Sequence, residues 1–177
     1  KNSDRMVLSR YNGETATIIT YLPIGDYRFR SSPGGVALLE DTQRGRIILV
    51  DLQGQDQPIL INEEAVGWQW NADQDRLAFT DGFDLEVYTR SSHSTQTLTR
   101  QSQQIGQLMW YPLGSALLYL SGETITSIEL DSRDGHEMNV LAQGVFDAFW
   151  TDKDGDYLFV HGTSNDQTGI FSRKLQR

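Results

Sequence analysis

Asp152, Asp154 and Asp156 stand at alternate positions around Gly155, in the stretch D-K-D-G-D. That spacing can aim three oxygen ligands at one cation, as in a calcium loop. The twelfth position of such a loop requires a bidentate Glu, and Thr163 stands there instead. The stretch is therefore read as a solvated turn, and the same reading applies to Asp73 and Asp75. The three histidines, His93, His136 and His161, are far apart in sequence, and no two have a metal-binding spacing. His161 opens the polar run H-G-T-S-N-D-Q-T-G, which is read as a long loop after a buried strand. There is no G-x-S-x-G nucleophile elbow, no Walker-type loop and no dinucleotide fingerprint. Ser32-Pro33-Gly34-Gly35 reads as a turn rather than a phosphate cradle, because no helix follows it. Nothing singles out a carboxylate pair for glycoside hydrolysis. No cofactor and no catalytic residue is expected.

Composition narrows the classes further. The chain has 177 residues with 15 Lys and Arg against 24 Asp and Glu, a net charge of -9. Phosphate backbones are bound by clustered positive charge, so direct nucleic-acid binding by this segment is not expected. There is no cysteine, which removes disulfides, thiolate metal sites and cysteine nucleophiles. No apolar run approaches the roughly 20 residues of a membrane helix.

The elements that must position any site are set by a repeat. Trp70, Trp110 and Trp150 recur at one even interval. Rows of that length align three apolar columns: Ala37, Leu77, Leu117 and Tyr157; Leu38, Ala78, Leu118 and Leu158; Leu39, Phe79, Tyr119 and Phe159. Each row reads as four short strands. The first ends at the Trp position (Tyr27 to Arg30, Gly67 to Trp70, Gln107 to Trp110, Asp147 to Trp150), and a turn rich in Pro, Gly, Asp and Asn follows. The second is the apolar block. The third is Arg46 to Leu52, Leu85 to Thr89, Ile125 to Leu130 and Gly169 to Arg173. The fourth is Pro58 to Ile61, Thr95 to Thr99 and Asn139 to Leu141. A four-stranded antiparallel unit of about 40 residues, marked by Trp, is a propeller blade: one twisted sheet cannot bury its own two apolar faces, and stacked blades bury both. The expected fold is all-β, a single partial or small β-propeller. Its blades are approximately 1–25 (partial), 26–65, 66–105, 106–145 and 146–177 (partial).

The stretches from Trp70 to Phe79 and from Ser32 to Leu39 resemble the W-S-P-D-G-x-x-I-A-F core of TolB-like propellers, and Trp150 to Phe159 is a looser third match. The resemblance covers residues 27–173. Arg30 replaces the aromatic in the first row, and Leu113-Gly114 replaces the Asp-Gly of the third. It implies one of three contexts: a periplasmic scaffold, the propeller of a prolyl-oligopeptidase-type peptidase, or the periplasmic sensor part of a ToxR-like membrane transcription regulator. The leading expectation is a non-catalytic periplasmic module that binds a protein partner or self-associates, as the C-terminal part of a larger bacterial protein. A peptidase propeller without its catalytic domain and a calcium- or sugar-binding propeller are the alternatives.

Function in such folds sits on loops, here Asp41 to Gly45, Asp81 to Asp84, Ser121 to Thr124 and His161 to Thr168. Phe83 and Asp84 are candidate partner contacts, the apolar Phe83 as an anchor. His161 and Asp166 are candidates in the fourth loop. Trp68 is a fifth, because it lies outside the repeat columns, where its counterparts are Arg28, Leu108 and Ala148. Trp70, Trp110 and Trp150 are read as packing residues.

Overall fold

The computed structural model describes residues 5–31, 33–54, 56–131, 133, 135–164 and 166–175. Ser32 of the S-P-G-G stretch, Asn165 of the fourth loop and the first four residues of the expected leading half-blade lie outside them. The described residues form seventeen strands, no α-helix and one short 3-10 turn at Pro33–Gly35.

Two compact units divide the chain, residues 1–65 and 66–177. In the first, β1 (Arg5–Tyr11) and β2 (Ala16–Pro23) pair as a hairpin. Strands β3 (Tyr27–Ser31), β4 (Val36–Asp41), β5 (Arg46–Asp51) and β6 (Ile59–Asn62) form a sheet in chain order. Leu8, Ile19 and Leu22 of the hairpin pack on Ala37, Leu39, Ile48 and Val50 of that sheet. The opposite face of the hairpin carries Val7, Ile18 and Tyr21, each about half exposed.

The second unit holds three sheets. One comprises β7 (Gly67–Trp70), β8 (Arg76–Thr80), β9 (Asp84–Thr89) and β10 (Ser94–Arg100). The next comprises β11 (Ile105–Trp110), β12 (Ala116–Ser121), β13 (Thr124–Glu129) and β14 (Met138–Gln143). The last comprises β15 (Val145–Thr151), β16 (Tyr157–Ser164) and β17 (Gln167–Lys174). Every pairing between these strands is antiparallel. Continuous apolar runs such as A-L-L-Y-L-S in β12 are buried along their whole length because both faces of the sheet are covered.

In the second unit each sheet has a leading face, on the side from which the first two sheets pack on their successors, and an opposite, trailing face. Ala78, Leu85, Val87 and Leu98 lead onto Ile105, Trp110, Leu117, Tyr119 and Ile128. Leu118, Leu120 and Ile125 lead onto Phe146, Phe149, Leu158 and Val160. Two glutamines tie the inner strands together. Gln69 Oε1 accepts from the Trp110 N–H at 2.8 Å, and the Trp110 indole donates to the Gln69 carbonyl at 2.8 Å. The Gln107 amide bonds both backbone groups of Phe149, donating to its carbonyl at 2.7 Å and accepting from its N–H at 3.1 Å.

The turn after the first strand shows how the rows align. The same pair of backbone bonds recurs: Asn71 N to Arg76 O with Gln74 N to Asn71 O; Tyr111 N to Ala116 O with Gly114 N to Tyr111 O; Asp152 N to Tyr157 O with Gly155 N to Asp152 O. Gln74, Gly114 and Gly155 all adopt positive φ, 58°, 73° and 73°. The step from Gln74 to Gly114 equals the tryptophan interval, and the step from Gly114 to Gly155 is one position longer. This corrects the Trp column. Thr151, paired with Leu158, occupies the place of Trp70 and Trp110, which pair with Leu77 and Leu117. Trp150 is one position off, and in a strand such a slip moves a side chain to the other face. Trp110 is buried on a trailing face, whereas Trp150 is exposed on a leading face. The last row of the apolar columns shifts with it: Leu158, Phe159 and Val160 match Leu117, Leu118 and Tyr119.

Candidate interaction surface

Phe83 lies at the tip between β8 and β9, and its side chain is exposed at 45%. The tip is held from several sides. The Asp81 carboxylate accepts the N–H groups of Phe83 and Asp84, both at 2.8 Å. Burial pushes this carboxyl up, but those N–H donors and the Arg100 charge outweigh it and hold it below the usual carboxylate range. Gly82 N donates to Thr80 Oγ1 at 2.9 Å. The carbonyls of Gly82 and Phe83 accept the N–H groups of Ile105 and Gln101. Asp84, the first residue of β9, pairs with Arg100 of β10 at 3.1 Å. An apolar ring is thus displayed on a braced loop, with an acidic pair partner beside it.

The other candidates lie elsewhere. Trp68 stands on β7 opposite Phe79, partly buried on the trailing face. His161 is not in a loop: it lies within β16, paired with Ala148 and Ile170. The hairpin continues to Ser164 opposite Gln167, so most of the expected loop from His161 to Thr168 lies in the two strands that flank the turn. Asp166 occupies that turn with φ 61°. Gly162, at φ 151°, allows the continuation, because a Cβ there would sit 2.2 Å from the Val145 carbonyl. Of the five, only Phe83 and Asp84 share an element end.

The carboxylates with calcium-loop spacing form the turn from β15 to β16. Asp152 Oδ1 accepts the Tyr157 N–H at 2.9 Å, and Gly155 supplies the positive φ. No group of three or more metal-binding side chains comes together among the described residues.

Sequence reasoning misses a second surface, the leading face of the last sheet. β16 contributes Tyr157, Phe159 and His161, β15 contributes Ala148 and Trp150, and β17 contributes Ile170. Trp150 and Phe159 stack with ring centroids 5.8 Å apart and 12° between planes, and Tyr157 leans on Phe159 at 6.4 Å. His161 Nδ1 lies 3.2 Å from Asp147 Oδ2 at the rim. Trp150 is 39% and Ile170 66% exposed. The equivalent of Ile170, read from the pairings with Thr80, Leu120 and His161, is Leu85 and then Ile125, both fully buried.

No family model matches the chain, and no curated protein does. Solved structures do. A β-propeller domain of Cps50 (Swd1) from Myceliophteria thermophila superposes with a TM-score of 0.59 at 12% identity, over 88% of this chain and 57% of that one. A chain of the yeast Nup82-Nup159-Nup116 nucleoporin complex gives 0.57 at 13% identity, over 84% and 42%. A chain of the mitotic checkpoint complex gives 0.58 at 13% identity, over 90% and 53%. The chain spans about half the length of these solved chains. With four-stranded antiparallel sheets in chain order, the likeness assigns the all-β propeller repeat fold.

Proposed function

We propose that the chain is a non-catalytic β-propeller module that binds a protein through the loop end carrying Phe83 and Asp84. The observation that carries this is the braced presentation of an exposed aromatic ring, with the Asp81 carboxylate, Gly82 and Phe83 backbone bonds fixing the tip. Rigid aromatic anchors give contact area at low entropic cost. Propeller neighbours drawn from protein complexes support the same reading. More narrowly, the TolB-like turns suit the periplasmic sensor part of a ToxR-like transcription regulator, with DNA-binding and membrane segments supplied by polypeptide outside these residues.

The test is photo-crosslinking in the producing cell. A photoreactive amino acid replaces Phe83 in one variant and Ser92, at the opposite end of the same sheet, in another. The expected result is one discrete crosslinked polypeptide from position 83 and none from position 92. Equal labelling from both positions, or none from either, contradicts the reading.

A further inference from the structure

The leading face of the last sheet has the composition of a buried surface and the exposure of a free one. Its positions are those that pack in the two preceding sheets. Phe159 matches Ala78 and Leu118, His161 matches Thr80 and Leu120, and Ile170 matches Leu85 and Ile125. In those sheets the next trailing face covers them, leaving Leu85 and Ile125 with no exposure. Here the same face carries a Trp–Phe stack and an isoleucine at 66% exposure. Trp150 stands where Gln69 and Met109 stand, so an aromatic surface replaces the amide clasp that Gln69 makes.

The β1–β2 hairpin carries an uncovered face of the opposite sense. It spends its leading face on Ala37, Leu39, Ile48 and Val50. Its trailing face displays Val7 at 51%, Tyr21 at 52% and Ile18 at 54% exposure. A leading face takes a trailing face, as both sheet contacts of the second unit show. Contiguous exposed apolar patches on soluble chains mark interaction sites.

We infer that the β15–β17 leading face is an association surface for a second copy of this chain, which docks the trailing face of its β1–β2 hairpin there. The contact is heterologous, head to tail: Tyr157, Trp150, Phe159 and Ile170 of one copy meet Val7, Ile18 and Tyr21 of the other. Because the docking face and the docked face belong to the same chain, the contact adds further copies unless the rotation closes a ring. This goes beyond binding at Phe83 and stands independently of it.

The test uses the full chain with Ile170→Arg and Tyr21→Arg. Both side chains are more than half exposed, so unchanged melting curves are expected for the dilute variants. Sedimentation velocity is run from about 1 to about 200 µM, the range over which weak protein contacts populate. The wild type is expected to shift from 20.0 kDa to dimers and larger species. Each variant alone stays monomeric, because each has lost one of the two faces. An equimolar mixture of the two regains association that stops at dimers, since the only intact pair is Tyr21 of the Ile170→Arg chain against Ile170 of the Tyr21→Arg chain. A wild type monomeric throughout overturns the inference. So does association that survives either substitution, or a mixture that remains monomeric. The Phe83 crosslink is unaffected by either variant if the two surfaces are separate.

Discussion

At the scale of the residue, the turns decide where strands begin and which way they face. Gly114 and Gly155 share a φ of 73° and the same place in successive turns. Their surroundings differ. Nothing lies within 4 Å of a Cβ built on Gly114, whereas one on Gly155 meets the Tyr111 ring at 2.6 Å. Tyr111 also donates its hydroxyl to the Gly155 carbonyl at 2.9 Å, across two adjacent sheets. Gly114→Ala is expected to cost about 1 to 2 kcal/mol from backbone strain alone. Gly155→Ala should cost more, since it adds a clash that the ring must move to relieve. Equilibrium urea unfolding of the two variants checks the order, and equal losses would contradict it. Asp41 shows the same economy at another turn. It is fully buried, and it accepts from Arg44 at 3.0 Å and from the N–H groups of Gln43 and Asp26 at 3.2 and 3.3 Å. Burial pushes its carboxyl up, but these donors together hold it below the ordinary range. The D-G and N-x-D-Q turns are legible in the sequence because each residue type answers a backbone demand. Asp41 is not, because an Asp at the end of a strand looks the same whether its carboxylate is buried or free.

At the scale of the element, the repeat is legible in the sequence and its phase is not. Apolar blocks recurring at the tryptophan interval mark the second strands, and β4, β8, β12 and β16 fall on them. Trp150 keeps the spacing of the other tryptophans, so composition and period both endorse it, yet Thr151 holds the structural place. The slip shows only in hydrogen bonds: the turn bonds of Asp152 and Gly155 come one position later than the spacing of Tyr111 and Gly114 from the preceding turn would place them. The polar run after His161 reads as loop because it lacks apolar residues. Its threonines instead face each other across the hairpin, Thr163 Oγ1 bonding Thr168 Oγ1 at 2.8 Å. Threonine suits strands as well as turns, and no apolar alternation distinguishes the two uses. Phase has energetic consequences. Ile125 and Ile170 occupy one repeat position, at 0% and 66% exposure. Ile125→Ala should cost about 2 to 5 kcal/mol, by lost burial and the cavity left behind. Ile170→Ala, measured in dilute solution, should stay within about 0.5 kcal/mol. Thermal or urea unfolding separates them, and comparable losses would show that the last sheet is covered.

At the scale of the whole molecule, blade stacking explains both what is buried and what is bare. A sheet with two apolar faces is stable only between neighbours, so an uncovered face is either an interface or a liability. The net charge of -9 opposes indiscriminate association without supplying any specific contact. The repeat points to the propeller class, but which faces remain open is a property of the strand pairing and packing, and the repeat does not report it. Hydroxyl-radical footprinting at low and high protein concentration reads this most directly, because it labels side chains by their exposure. In dilute solution Trp150 and Ile170 should be modified readily while Trp110, Leu118 and Ile125 stay protected. At high concentration protection should extend to Trp150, Phe159 and Ile170, together with Val7, Ile18 and Tyr21. Labelling of Trp150 and Ile170 that is weak in dilute solution, or that does not change with concentration, would contradict the account.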